Sequence, residues 1–450
     1  MKTRNLEYLI LLLLTLLLPA CSADGEKPPP EEIPTLVYAT IHPENVDHES
    51  ISRFNKAHEN IRIEVRDYSE SNGAFSGWDR LLIEMQAGHI PDLIDMSGMQ
   101  IPYQQLASKG YLEDLWPYIE GDSKLGRAGV FEAPLRAAEV EGKLYMLFSA
   151  VRVDTLVGAE DVVGNRYSWT LEELLEAYAA MPEEATILEY FTPREDLLFY
   201  MGIMNLDSYV DWKTGECSFD SGEFRTFLEF CNHFSNDFDW DNYDVETVNE
   251  ELASRQEAGL QMLHHEYIQS WGKIPAIDAA YGGRAAFVGY PTEDGSMGSC
   301  FEPVGECLAM TSACRNKEAA WAFMRELILP TLRRDAKTWQ IGEAGSMFLV
   351  NRADYECAKM SAMLEKNMED ALEYQLFYNG AIFRVTQVTE EQCQRFETFL
   401  NSIDKIGLCD NSLFHIVEEI CVPYFAGDKS LDDAIALVQS RAKLYVNERR

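Results

Sequence analysis

From Thr35 onward, short β-type apolar runs and helix-type runs take turns along the chain, and this alternation constrains the fold more than any other feature. Thr35 to Ile41 is a β-rich apolar run, and polar residues follow from His42 to Glu49. A helix fits Glu49 to His58, with Ile51 and Phe54 on one face. Ile61 to Val65 alternates apolar with charged residues, as a strand does. Asp79 to Ala87 places Leu81, Leu82 and Met85 at helical spacing, with Gly88 as the stop. Pro91 to Met96 then returns to the sheet. Repeated strand–helix alternation predicts an α/β fold with a mainly parallel sheet. Further on, Thr170 with Glu173 forms a capping box, and Ser430 with Asp433 repeats the device ahead of a last helix running to about Asn447. In that helix Leu431, Ile435, Val438, Ala442 and Tyr445 make one apolar stripe.

A chain of 450 residues exceeds what one core usually holds, so two domains are expected. With 46% hydrophobic residues it has the means to bury both, which excludes wholesale disorder. Lys and Arg number 38 against 75 Asp and Glu, a net charge of −37. Such a balance argues against nucleic acid, whose phosphates need clustered Lys and Arg. It also predicts weak binding of anionic sugars and leaves neutral or cationic small ligands open.

The N-terminus reads as an export address. Lys2 and Arg4 precede a run from Leu9 to Leu18 that is apolar except for Thr15, too short to span a bilayer. It ends in Leu18-Pro19-Ala20-Cys21, which resembles a bacterial lipobox with an unusual Pro19. That resemblance implies a diacylated Cys21 as the mature N-terminus, anchored to the outer face of the cell membrane. Ser22 to Pro34, with Pro28, Pro29, Pro30 and Pro34, reads as a stiff tether. Removing Cys21 from ten cysteines leaves nine, an odd number, and buried reduced thiols are expected for most of them. Cys300, Cys307 and Cys314 lack the close ligand pairs of a zinc site, so neither metal nor cofactor is expected.

Several phrases in order carry a family resemblance. Ile61-Arg62-Ile63-Glu64-Val65, then Leu81 to Gly88, then Pro91-Asp92-Leu93-Ile94 resemble the N-terminal half of family 1 extracellular solute-binding proteins of ABC importers. Lys109-Gly110-Tyr111-Leu112-Glu113-Asp114-Leu115 and Trp169-Thr170-Leu171-Glu172-Glu173-Leu174 continue it. Val288-Gly289-Tyr290-Pro291, Asn316 to Phe323 and the segment Tyr424 to Glu448 complete the series. One phrase departs from the pattern: Val151-Arg152-Val153-Asp154 stands where the family has an Asn-Lys phrase after the first crossing. The resemblance implies a two-lobed periplasmic-binding-protein-like fold (type II), with discontinuous lobes joined by hinge strands. Lobe 1 is expected over 35–148 and 291–330, and lobe 2 over 149–290 and 331–450. Crossings are expected near Leu147 to Val153, near Phe287 to Pro291 and near Pro330. Closure around a ligand would present the closed form to the permease of an ABC transporter. The implied protein is a monomer that binds a mono- or oligosaccharide and has no catalytic residues.

A sugar site joins aromatic platforms to polar hydrogen-bonding groups, and ligands of open α/β sheets sit beyond the carboxyl ends of strands. That rule selects Thr40 and His42 after the first strand, and Ser97, Met99 and Gln100 after the Leu93-Ile94 strand. The family analogy adds His265, Glu266, Tyr267 and Trp271 from the segment Leu260 to Trp271, with Arg152, Asp154 and Tyr290 at the crossings. Plainer roles are open for several: Trp271 as core, Tyr290 as hinge packing, Arg152 and Asp154 as an ion pair with each other, and His42 as a solvated loop residue.

Catalytic motifs are incomplete. His265-Glu266 starts like a zinc-protease motif, but Gln269 stands at the second histidine position. Asp237 to Asp241 starts like a calcium loop, but Asn242 replaces its glycine and Val248 its bidentate glutamate. Gly282-Gly283 is no dinucleotide loop, and Asp294 to Gly298 is no nucleophile elbow. A glycosidase needs only two carboxylates across a cleft, so a surface carbohydrate-active enzyme stays as an alternative, beside a glycan-adhesion lipoprotein.

Overall fold

The computed structural model describes residues 33–69, 77–98, 101–234, 238–239, 241–329, 347–364, 375–378, 381–384 and 387–449. Cys21, Met99, Gln100 and Pro330 lie outside them.

One eight-stranded sheet organises the molecule. Its strands are β1 (Thr35–Thr40), β2 (Arg62–Asp67), β3 (Leu93–Asp95), β4 (Leu147–Ala159), β5 (Leu263–Ile268), β6 (Ala285–Phe287), β7 (Cys300–Met310) and β8 (Phe348–Leu349). The main path runs β6-β4-β7-β3-β1-β2, and β5 and β8 also pair with β4. Between β1 and β2 lies the helix His48–Ala57, which buries Ile51 and Phe54 as its spacing predicts. The helix Gly77–Gln86 buries Leu81, Leu82 and Met85 and stops before Gly88, at φ 91°. These helical crossovers make β1 parallel to both β2 and β3.

The expectation of a mainly parallel sheet does not survive. Every ladder made by β4 is antiparallel, and so is β7 with β3. The reason is the path of the chain: β4 carries it out of the first half of the sheet and β7 brings it back alongside. The return strand is therefore Cys300–Met310, whereas the sequence placed the second crossing at Phe287 to Pro291. That segment instead leaves the sheet after Phe287, the last residue of β6, with the Val288 and Gly289 amides donating to the Leu156 carbonyl. Gly289 has φ 68°, and a Cβ there would lie 2.5 Å from the Gly298 carbonyl carbon, so this close approach requires glycine.

Buried side chains form two clusters. Val153 and Val157 of β4 face the first and Leu156 the second, as the two-residue period of a strand demands. The first cluster also takes Phe348, Tyr355, Phe396 and Phe399, although residues 331–450 were assigned to the second lobe. The second holds the helices Arg194–Asn205, Asn411–Phe425 and Leu431–Glu448, with Ile435, Val438 and Ala442 buried along the last. Thr170 and Glu173 form the expected capping box: the Thr170 hydroxyl accepts from the Glu173 amide at 3.2 Å, and Glu173 accepts from the Thr170 amide at 2.8 Å. The nine described cysteines are all free thiols, eight of them buried. Among the described residues no helix is long and apolar enough to cross a membrane.

Candidate ligand-binding site

Most of the sheet is covered, but the middle of the β4–β7 pair is not. Ser149, Arg152 and the stretch Pro303 to Glu306 reach solvent there, beside a register shift between Val304 and Cys307. Polar side chains gather at both ends of this open floor.

At one end β4, β5 and β7 lie side by side. Their register sets Tyr267 and Cys300 on either side of Asp154, so the three side chains share a face. His265 Nε2 lies 2.8 Å from Asp154 Oδ1. Arg152 donates to Glu302 Oε2 at 2.5 Å, and its guanidinium stacks 3.9 Å from the Tyr267 ring centre. Tyr200, from the helix Arg194–Asn205, brings its ring to 4.3 Å from His265, and His265 stands 4.6 Å from Tyr267. Arg152, Tyr200, His265 and Tyr267 are only partly buried, so this aromatic and charged face is open to a ligand. Arg152 and Asp154 do not pair with each other: adjacent strands supply Glu302 and His265 instead. Burial pushes the His265 imidazole down, but the Asp154 carboxylate outweighs it and the net direction is up. For Glu302, burial and the neighbouring Asp154 raise the carboxyl to about 7 against the pull of Arg152.

At the other end are Thr40, the last residue of β1, and Ser97, two residues past the carboxyl end of β3. Both hydroxyls serve Asp95: Thr40 Oγ1 donates to it at 2.7 Å and Ser97 Oγ at 2.5 Å. The Ser97 hydroxyl also accepts from the Cys307 amide at 3.3 Å. His42 stays partly exposed beside Gly98 and lies 3.5 Å from Glu44. Tyr38 donates to Glu306 at 3.1 Å. Glu302 and Glu306 thus mark the two ends of the floor, four residues apart on one strand, or about 13 Å.

Three candidates have other duties. Glu266 is buried and engaged by Lys273 and by His264, the latter at 3.4 Å. His264 also pairs with Glu189, and these carboxylates overcome burial to raise the imidazole to about 10. Trp271, 2% exposed, belongs to the first core against Phe348, Tyr355 and Phe396. Tyr290, 1% exposed, lies behind the open face, and its hydroxyl has no partner. The sequence reading missed Tyr200, Glu302, Glu306 and Asp95. Asp95 was in view as part of a strand, but the other three sit in segments with no motif.

Glu306 gives a direct test of the electrostatics. Burial, with Asp95 adding to it, raises its carboxyl from 4.5 to about 7 even though Tyr38 donates to it. A carboxyl with a raised folded pKa binds its proton more tightly folded than unfolded. Stability therefore falls as pH rises from about 4.5 to 7, by about 3 kcal/mol, and stays lower above that. Glu306→Gln keeps an acceptor for Tyr38 and cannot ionise. It is expected to match the parent near pH 4.5 and to exceed it by that amount at pH 8 in urea denaturation; equal gains at both pH values would refute the assignment.

The sequence profile of the bacterial extracellular solute-binding proteins matches residues 49–341, more than half of the chain. The chain belongs to that family. Among solved structures, this solute-binding protein is similar to the sugar-binding protein MalE from Xanthomonas citri, at 14% identity and a TM-score of 0.51, over 92% of this chain and 98% of that one. A putative oligosaccharide periplasmic-binding protein from Synechococcus is also similar, at 14% identity and a TM-score of 0.48, over 92% and 99%. No curated protein matches it in sequence. Identities this low speak for the fold, which is the expected α/β, two-lobed binding-protein architecture.

Proposed function

We propose that this solute-binding protein captures a mono- or oligosaccharide over the open floor of β4 and β7 and delivers it to an ABC transporter permease. The observation that carries the reading is the partly exposed set of Arg152, Tyr200, His265 and Tyr267 at the strands that join the two halves of the molecule. Tyrosine rings offer apolar faces to sugar rings, while the Arg152 guanidinium offers bonds to hydroxyls. Thr40, His42 and Ser97 would meet the ligand from the first lobe. The sugar-binding character of the Xanthomonas relative favours the same ligand class. The chain acts by binding, without turnover, and Leu18-Pro19-Ala20-Cys21 supports a lipid anchor on Cys21 at the outer face of the membrane. Mass spectrometry of the N-terminal peptide tests that anchor.

A thermal-shift screen against mono-, di- and oligosaccharides, with peptides and polyamines as controls, tests the function. A ligand at a hundredfold excess over its Kd adds about 2.7 kcal/mol to the folded state. One saccharide is expected to raise Tm by several degrees and to be recovered unchanged. Tyr267→Ala is expected to weaken its binding by roughly tenfold, the worth of one lost stacking contact. A hit from the controls alone would discard the sugar, and turnover of the saccharide would make the protein an enzyme.

A further inference from the structure

We infer that Asp154, Cys300 and Glu302 form a binding site for a zinc-class divalent cation at the strands joining the two halves of the molecule. The register builds it. Cys300 of β7 stands directly across from Asp154 of β4, and Glu302 follows two residues later on the same face. One donor atom from each residue lies within 4.8 Å of the other two, and all three residues are buried. Two further observations point to a missing occupant. Glu302 is 1% exposed, yet its Oε1 has no partner. The Tyr290 hydroxyl is equally buried and unpartnered, and Asp154 is the charge that acts on it most strongly. Buried polar atoms are nearly always paired, so each of these unsatisfied oxygens beside Asp154 points to a ligand.

The surrounding groups suit a metal. Arg152 donates to Glu302 Oε2 and His265 meets Asp154 Oδ1, so both carboxylates are held by a neighbouring side chain, and Glu302 keeps Oε1 unpartnered. A thiolate among carboxylates favours zinc and its neighbours over calcium or magnesium, which take oxygen ligands alone. On binding, the Cys300 thiol releases its proton to solvent and its sulfur lone pair forms the bond to the metal. Two carboxylates and one thiolate then balance the dication together with Arg152. Spacing along the sequence does not reveal this set, because only the sheet brings Asp154 to Cys300 and Glu302. The inference is independent of the saccharide reading, since the metal needs no sugar.

The test uses the reduced, metal-free full chain with Co2+ alone and Zn2+ alone. Co2+ is expected to bind one per chain, with a near-ultraviolet sulfur-to-cobalt charge-transfer band that Zn2+ abolishes by displacement. Cys300→Ser should remove the band. Glu302→Gln keeps the thiol and the side-chain volume, and should weaken Co2+ by about tenfold or more while circular dichroism stays unchanged. No band in the parent would overturn the site and leave a proton on Glu302. A band that persists in Cys300→Ser, or an affinity untouched by Glu302→Gln, would overturn it equally.

Discussion

Trp271→Ala is expected to destabilise the protein by about 3–5 kcal/mol and to leave ligand affinity within about twofold of the parent. The indole is 2% exposed and meets three rings edge-on, at 5.7 Å from Phe348, 5.7 Å from Tyr355 and 5.6 Å from Phe396. Those rings come from β8 and from the helices Arg352–Met363 and Glu390–Ser402, so truncation opens a cavity where three elements converge. Close-packed aromatic surroundings relax little around such a void, which keeps the cost near the top of the usual range. Urea denaturation and calorimetric titration of the best saccharide separate the two roles. A large loss of affinity with stability intact would restore Trp271 as a ligand platform.

Arg395→Met should cost a similar amount by a different route. Arg395 Nη2 bonds both carboxylate oxygens of Asp278, at 2.5 and 2.6 Å, and the two side chains are 12% and 4% exposed. Asp278 also accepts from the Ala285 amide at 3.0 Å and from Gln392 at 2.7 Å, so it ties the helix Ile274–Ala280 to β6 and to the helix Glu390–Ser402. Removing the guanidinium strands a buried carboxylate, which typically costs about 3–5 kcal/mol. Replacing the carboxylate as well, in Arg395→Met with Asp278→Asn, removes the stranded charge and keeps an acceptor for Ala285. The double variant is expected to recover at least half of the loss. If it proves no more stable than the single one, the arginine stabilises the fold mainly by packing over Phe287, whose ring centre lies 5.8 Å from the guanidinium.

Trp271 shows why the candidate site was only partly legible in the sequence. The rule that ligands gather beyond strand ends found Thr40 and Ser97, and the structure brings both to Asp95. It could not show that their hydroxyls are already committed to that carboxylate. Among the residues from Leu260 to Trp271, aromatic and polar character alone did not separate open from buried positions. His265 and Tyr267 point to the open face because β5 pairs with β4 in one register, while Glu266 between them points away to Lys273. Tyr200 is carried in by a helix with no motif of its own.

Local pattern by itself determined the strand–helix order and the capped helices at Thr170 and Ser430, while the family and the two-lobed architecture were legible only through the resemblance of several phrases in order. The order and the caps depend on periods of two and 3.6 residues and on caps a few residues long, which a chain writes along itself. Only the tertiary structure decided which partners the charged residues take. His265 reaches Asp154 across 111 residues, and Arg152 reaches Glu302 across 150. Sheet register sets such pairings, and register is a property of strands brought together by the whole fold, so no spacing within either segment contains it.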